Sequence, residues 1–305
     1  MSIVSMLKGR GPSGFGGGST AEEVTAGLSL AGKTILVTGC NSGLGQEAMR
    51  VFALRGAQVI GTARTVEKAA AACAAVSGKA LPLACELSDP KSVRACVEAV
   101  RRDGCRLDVI VCNAGIMALP TLQQAHGTEL QLFTNHVGHF LLVTGLLDRL
   151  AEDGGVVVVS SSAHRQAPAS GIELDNLSGA RDYTGWKMYG QSKLANILFA
   201  KELARRFAGT KKVAIAIHPG VIKTGLSRNM HPVIDFLWGA VSPLFLKSVE
   251  QGAATEVYAA VHPGAAVLNG SYLADCNLQT PRPDAEDATL SKALWEATEK
   301  LAATL

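Results

Sequence analysis

The chain has 305 residues, 48% hydrophobic and 18% charged, with a formal net charge of +3; that suits one large α/β core, and with no strongly basic block it does not point to a nucleic-acid partner. Seven cysteines (Cys40, Cys73, Cys85, Cys96, Cys105, Cys112, Cys276) form no C-x-x-C pair, so structural thiols in a reducing compartment are expected rather than a disulfide framework or a zinc site. No run of 18 uncharged apolar residues and no long apolar N-terminal core occur, so neither a spanning helix nor secretion is expected.

Residues 1–29 read as an irregular leader. Gly11 to Ser19 is glycine-rich, and Ser19-Thr20-Ala21-Glu22-Glu23 has the pattern of a capped short helix. Thr34–Thr38 is a short β-branched run, read as the first strand. It enters Gly39-Cys40-Asn41-Ser42-Gly43-Leu44-Gly45 and then a helical pattern through Leu54. A strand, a glycine-rich turn and a helix start make an anion site, because bare backbone N–H groups and the helix dipole both face a pyrophosphate. Cys40 sits in that turn. It is either a thiol with a lowered pKa or a small buried filler.

The second strand, Gln58–Thr62, is followed by Ala63-Arg64 and no acid. A guanidinium here suits a ribose 2′-phosphate, which favours NADPH over NADH. A helix follows over 66–76, then a strand at Leu81–Cys85 ending in Glu86-Leu87, and a helix opening at Asp89-Pro90. The fourth strand, Leu107–Cys112, ends in Asn113-Ala114-Gly115. One long helix is expected from about Glu129 to Leu150. The fifth strand, Gly155–Val159, ends in Ser160-Ser161-Ser162, and the sixth, Val213–Ile217, in His218-Pro219-Gly220. Strands alternating with helices predict a doubly wound parallel sheet covered on both faces, a Rossmann fold in one domain over 30–275. A C-terminal tail with a helix (276–305) completes the chain. Ligands in such folds bind beyond the carboxyl ends of the strands.

Tyr189 and Lys193 lie four positions apart in a helical pattern, on one face. A nearby ammonium favours the phenolate. Bringing a phenol from ~10 to near pH 7 asks for roughly 4 kcal/mol, which one lysine and a cofactor cation would supply.

Together, Thr38-Gly39-x-x-x-Gly43-x-Gly45, Asn113-Ala114-Gly115, Asn135, Ser160-Ser161, Tyr189-x-x-x-Lys193 and Pro219-Gly220 resemble the short-chain dehydrogenases/reductases. Asn135-His136-Val137-Gly138-His139-Phe140 and Ser192-Lys193-Leu194-Ala195-Asn196 are similar to its retinol-dehydrogenase-like branch. Gly11-Pro12-Ser13-Gly14-Phe15 and Gln251-Gly252-Ala253-Ala254-Thr255 are similar to plant and algal members associated with the chloroplast inner-envelope translocon. The resemblance implies NADP(H) as cofactor and a catalytic set of Asn135, Ser161, Tyr189 and Lys193. Tyr189 would transfer the proton, Lys193 would hold the nicotinamide ribose, Ser161 (or Ser160, in the adjacent register) would polarise the substrate oxygen, and Asn135 would hold a relay water. Gly39, Asn41, Ser42, Gly43, Leu44, Gly45, Arg64, Glu86, Leu87, Asn113, Ala114, Gly115, Pro219, Gly220, Val221 and Thr224 would line the cofactor, with Asn113 along the adenosine ribose. Glu86 stands where relatives usually have Asp.

The segment between Ser161 and Tyr189 is long and contains His164, Asp175, Tyr183 and Trp186, expected on a pocket rim. His136, His139, His164 and His218 have no zinc spacing and are expected in packing or hydrogen-bonded roles. The loop 221–247 is rich in apolar residues from Met230 to Leu246. A lid over an apolar carbonyl or alcohol, a peripheral membrane or translocon contact, an interface with a second copy, and ordinary packing all remain open for it. Two functions compete: an NADPH-dependent oxidoreductase acting on an apolar carbonyl or alcohol, and an NADPH-sensing subunit of a membrane complex. The expected location is cytoplasm or chloroplast, including the envelope.

Overall fold

The structure is a computed structural model that describes residues 9–222 and 246–305. Thr224 and most of the 221–247 loop lie outside them. The strands are β1 (Thr34–Thr38), β2 (Gln58–Ala63), β3 (Lys79–Ala84), β4 (Leu107–Cys112), β5 (Gln124–Ala125), β6 (Thr128–Glu129), β7 (Leu150–Val159), β8 (Val213–His218), β9 (Tyr272–Ala274) and β10 (Asn277–Leu278). Eight of them form one sheet, ordered β3-β2-β1-β4-β7-β8-β9-β10. Every neighbouring pair in it is parallel except β9 with β10. The order reverses between β1 and β4, and a crevice for a ligand opens at such a switch point.

The helices are α1 (Ala21–Val24), α2 (Gly43–Leu54), α3 (Val66–Ala74), α4 (Pro90–Asp103), α5 (Leu130–Leu132), α6 (Gly138–Leu146), α7 (Gly185–Arg206), α8 (Val249–Val261) and α9 (Ala288–Ala302). Strand residues alternate between faces. Ile35, Val37, Val109, Val111, Val157, Val159, Ile215 and Ile217 bury one face against α1, α2 and α8. Leu36, Ile110, Val156, Val158, Ala214 and Ala216 bury the other against α4, α6, α7 and α9. Each large aliphatic side chain taken fully from water contributes about 1.5–3 kcal/mol, so the two faces together fix where the strand ends lie.

Local chemistry sets the boundaries. Thr20 and Glu23 form the capping box of α1, and Asp89 caps α4 with Pro90 in its first turn. Before α1, the leader is clamped by Asn277: Ser13 N donates to its Oδ1 at 3.0 Å, and its Nδ2 donates to Phe15 O at 3.0 Å. The Phe15 ring stands edge-on to Tyr258 and His262.

The long helix expected over 129–150 is not continuous. Phe133–Val137 is a π-helical turn between α5 and α6, with Gly138 N bonded to Phe133 O. The segment ends early because β7 already begins at Leu150, which pairs with Leu107. The pairing then skips to Val109 with Gly155, so the residues between bulge out of the ladder.

Candidate active site

Most of the residues singled out by sequence come together at the carboxyl ends of β1, β4, β7 and β8. Asn135 is fully buried at the π turn, a kind of distortion common at functional sites. Its Oδ1 accepts from Ile116 N at 2.8 Å, and its Nδ2 donates to Ile116 O at 3.0 Å and Ser192 Oγ at 2.9 Å. The side chain thus ties the segment after β4 to α7. Gly115 adjoins it. A Cβ at Gly115 would sit 3.0 Å from Asn135 Oδ1 and 3.5 Å from Lys193 Nζ, so any side chain there would intrude between those two groups.

Ser160 and Ser161 differ sharply. Ser160 is buried, and its Oγ donates to Lys193 O at 2.7 Å. Ser161 is half-buried, its Oγ accepts from Ala163 N at 3.2 Å, and it acts on the Tyr189 phenol, favouring its ionised form. Lys193 Nζ donates to Val159 O at 3.0 Å and lies 5.6 Å from the centre of the Tyr189 ring.

The expected depression of the Tyr189 pKa does not appear in the protein alone. Burial pushes the phenol up to about 12, with Ser161 pulling the other way. Burial also brings Lys193 down to about 8. The ammonium lies by the ring, and desolvation outweighs its pull.

The cradle at β1 has the chemistry of a dinucleotide site. Gly39 has φ +72°, and a Cβ on it would meet Ala114 at 3.0 Å. Gly45 is needed for packing: a Cβ there would collide with Asn113 Nδ2 and Gly39 O. The Ser42 side chain makes no hydrogen bond at the start of α2. That leaves this N-terminus without its usual side-chain cap, between exposed Asn41 and half-buried Gly43 and Leu44. Arg64 is exposed just beyond β2. Asn41, Gln46, Lys68, Ala71 and Ala72 line a shallow groove. These residues fit a phosphate-bearing cofactor.

Other expected cofactor residues have local roles. Asn113 Nδ2 donates to Thr38 O at 2.7 Å, bracing β4 against β1. The Glu86 carboxylate folds back onto Ser88 N and Oγ at 3.2 and 2.9 Å. Leu87 is buried against Gly138. Pro219 is buried, Gly220 has φ +99°, and Val221 is 56% exposed.

Cys40 is not a low-pKa thiol. Its burial, first of all, and then Cys73, push it up to about 12. It packs with Met49 and Cys73 where a Cβ on Gly61 would otherwise be, so it is the buried filler.

On the expected pocket rim, Trp186 lies against Tyr189. It is 45% exposed, edge-on to Tyr189 with 6.0 Å between ring centres. Tyr183 OH donates to Leu119 O at 2.8 Å. His164 instead locks the serine turn: Nδ1 is 2.6 Å from Ser161 O, and Nε2 accepts from Arg282 N at 3.2 Å. Asp175 pairs with Arg181 on the surface. His218, read from sequence only as a packing or hydrogen-bonded residue, accepts at Nδ1 from Ser162 N (3.2 Å) and Gly220 N (3.4 Å). It joins the serine turn to the Pro219-Gly220 turn.

The sequence pattern of the short chain dehydrogenase family matches residues 33–233. The chain is a short-chain dehydrogenase/reductase. It is 38% identical, over the whole of both chains, to the short-chain dehydrogenase TIC 32 A, chloroplastic, of Brassica napus. It is 36% identical to retinol dehydrogenase 12 of Mus musculus, with 89% of this chain and 86% of that one covered. Among solved structures, a short chain dehydrogenase from Burkholderia cenocepacia in complex with NADP matches with a TM-score of 0.64 at 25% identity, covering 80% of this chain and 96% of that one. The chain is thus an oxidoreductase of a family that binds a nicotinamide cofactor. The Rossmann fold expected from the strand–helix alternation is the one observed. No helix among the described residues is long and apolar enough to cross a membrane.

Proposed function

We propose that this short-chain dehydrogenase/reductase is NADPH-dependent and moves hydride between the nicotinamide and an apolar carbonyl or alcohol. The observation that carries this reading is the meeting of Ser161, Tyr189 and Lys193, in a fold whose helix α2 also starts without a side-chain cap. The cofactor, when bound, supplies or accepts the hydride. In reduction, negative charge grows on the substrate oxygen. The Tyr189 hydroxyl gives that oxygen its proton, and the Ser161 hydroxyl donates to it while the charge develops. Lys193 and Asn135 hold the cofactor ribose and the proton path behind Tyr189. A buried phenol near pKa 12 is a protonated donor at neutral pH, as reduction requires.

Preference for NADPH is supported by Arg64, exposed after β2 where no acid follows the strand. An apolar substrate is supported by Trp186 beside Tyr189 and by the exposed Val221, and by likeness to a retinol dehydrogenase. A chloroplast location rests on likeness to the chloroplastic relative. A sensor subunit without catalysis is not favoured, because sensing needs no acid–base pair. NADPH and NADH oxidation, each measured against a panel of retinoid, aliphatic and aromatic aldehydes and ketones, test the reading. Turnover with NADPH on apolar carbonyls supports it. Equal use of NADH, or turnover confined to polar carbonyls, overturns the corresponding part.

A further inference from the structure

His139 is fully buried, one turn after Asn135, with both ring nitrogens in contact. Nδ1 lies 2.9 Å from Asn135 O, and Nε2 lies 2.9 Å from Thr38 Oγ1. The direction of each bond follows from the partners. A carbonyl only accepts, so Nδ1 carries the hydrogen. Thr38 Oγ1 already accepts from Asn113 N at 2.9 Å and Ala114 N at 3.0 Å. Its own hydrogen has two acceptors, Val111 O at 3.4 Å and His139 Nε2 at 2.9 Å, and the nearer one receives it. Burial holds the ring neutral, with its pKa near 4, consistent with one donor and one acceptor nitrogen.

The result is a directed chain. Asn113 and Ala114 N–H donate to Thr38 Oγ1, Thr38 to His139 Nε2, and His139 Nδ1 to Asn135 O. Asn135 in turn holds Ser192 of the Tyr189–Lys193 helix. The chain joins the strand ends under the cofactor cradle to the π turn. Resting on the reductase reading above, we propose that His139 is a positioning residue whose Nδ1–H, itself oriented by Thr38, fixes the Asn135 carbonyl and so sets the proton path behind Tyr189. A purely apolar residue would fill the same volume without fixing that carbonyl. A buried imidazole whose two nitrogens both find partners avoids the cost of an unpaired polar group.

Two substitutions of similar size and polarity separate the two ends of the ring. His139→Asn places an amide N–H near the Nδ1 position; His139→Gln places its amide near Nε2, towards Thr38. Both are compared with the wild type by carbonyl reduction with NADPH, in H₂O and D₂O. His139→Gln is expected to lose about tenfold or more in kcat, with KM values moving less than roughly twofold and a larger solvent isotope effect, because a misplaced Asn135 slows proton delivery. His139→Asn is expected to stay within about threefold of the wild type. Equal kcat and isotope effect in Gln, Asn and wild type overturn the proposal, as does a loss that is equal in both variants. The ring tautomer gives a readout that needs no turnover. In ¹⁵N-histidine-labelled protein, the signal missing from His139→Asn is expected to be the Nδ1–H tautomer. An Nε2–H or doubly protonated ring overturns the proposal. A wild type that reduces no carbonyl contradicts the function proposed above, and the tautomer still decides this one.

Discussion

Ser160 Oγ donates to the backbone carbonyl of Lys193 at 2.7 Å, while its neighbour Ser161 acts on the Tyr189 phenol, favouring its ionised form. Two adjacent serines thus do different jobs at the end of β7: one anchors α7, and the other faces the reacting group. Ser161→Ala should lower kcat by about 10²–10³-fold, the scale of losing one donor to a developing oxyanion, with little change in melting temperature. Ser160→Ala should cost about 1 kcal/mol of stability, read by denaturant unfolding, and leave most of kcat. The reverse pattern would exchange the two roles.

The pH dependence of reduction follows from burial. Tyr189, near 12, stays protonated across the working range, and Lys193 loses its charge as pH rises through about 8. Carbonyl reduction should hold below pH 8 and decline above it, as read from kcat/KM against pH. The sign for stability is also set. A lysine whose folded pKa lies below its unfolded value of 10.5 weakens the fold below pH 8, and that penalty fades between 8 and 10.5. Lys193→Met should therefore melt higher than the wild type at pH 7, with the gap narrowing towards pH 10.5.

Arg64 is exposed beyond β2 and makes no ion pair among the described residues. If it receives a 2′-phosphate, Arg64→Ala should raise the Kd for NADPH by about ten- to a hundredfold, since a charge-assisted contact contributes roughly 1.5–3 kcal/mol. NADH binding should not change. Calorimetric titration with both nucleotides checks this. Equal losses for the two would place Arg64 elsewhere in the binding energy.

Glu256 is fully buried in α8, and neither carboxylate oxygen has a hydrogen-bond partner among the described residues. Burial raises its pKa from 4.5 to about 8, so it folds as a neutral acid. Between pH 4.5 and 8 the unfolded chain is ionised and the folded one is not, so stability falls as pH rises through that window. Glu256→Gln should stabilise the protein by about 3 kcal/mol at pH 7, with the difference shrinking towards pH 4.5. Thermal unfolding across that range checks the sign. A gap that grows on acidification would contradict it.

Much of the fold was legible because strand and helix periods differ. Leu107–Cys112 reads as a buried strand at its observed limits, and Asp89-Pro90 announces its helix. The break at Phe133–Val137 was hidden, since a π turn leaves the helical pattern of apolar residues nearly intact. At the site, the pairing of Tyr189 with Lys193 was legible from spacing, and Ser161 was an expectation of the family resemblance, with Ser160 as the alternative. The roles of His139 and His218 were not, because a histidine's function depends on which nitrogen meets which partner across 101 and 56 residues of sequence. Likewise, nothing in the run Gly39-Cys40 says that the thiol turns inward beside Met49 and Cys73.

The central claim is that Tyr189 transfers the proton in a nicotinamide-dependent reduction. It is tested most directly by single-turnover NADPH oxidation with an apolar aldehyde, comparing wild type with Tyr189→Phe at equal cofactor saturation. The predicted result is a rate lower by roughly 10²–10⁴-fold with the Kd for NADPH unchanged. A Tyr189→Phe protein that oxidises NADPH as fast as the wild type would contradict it.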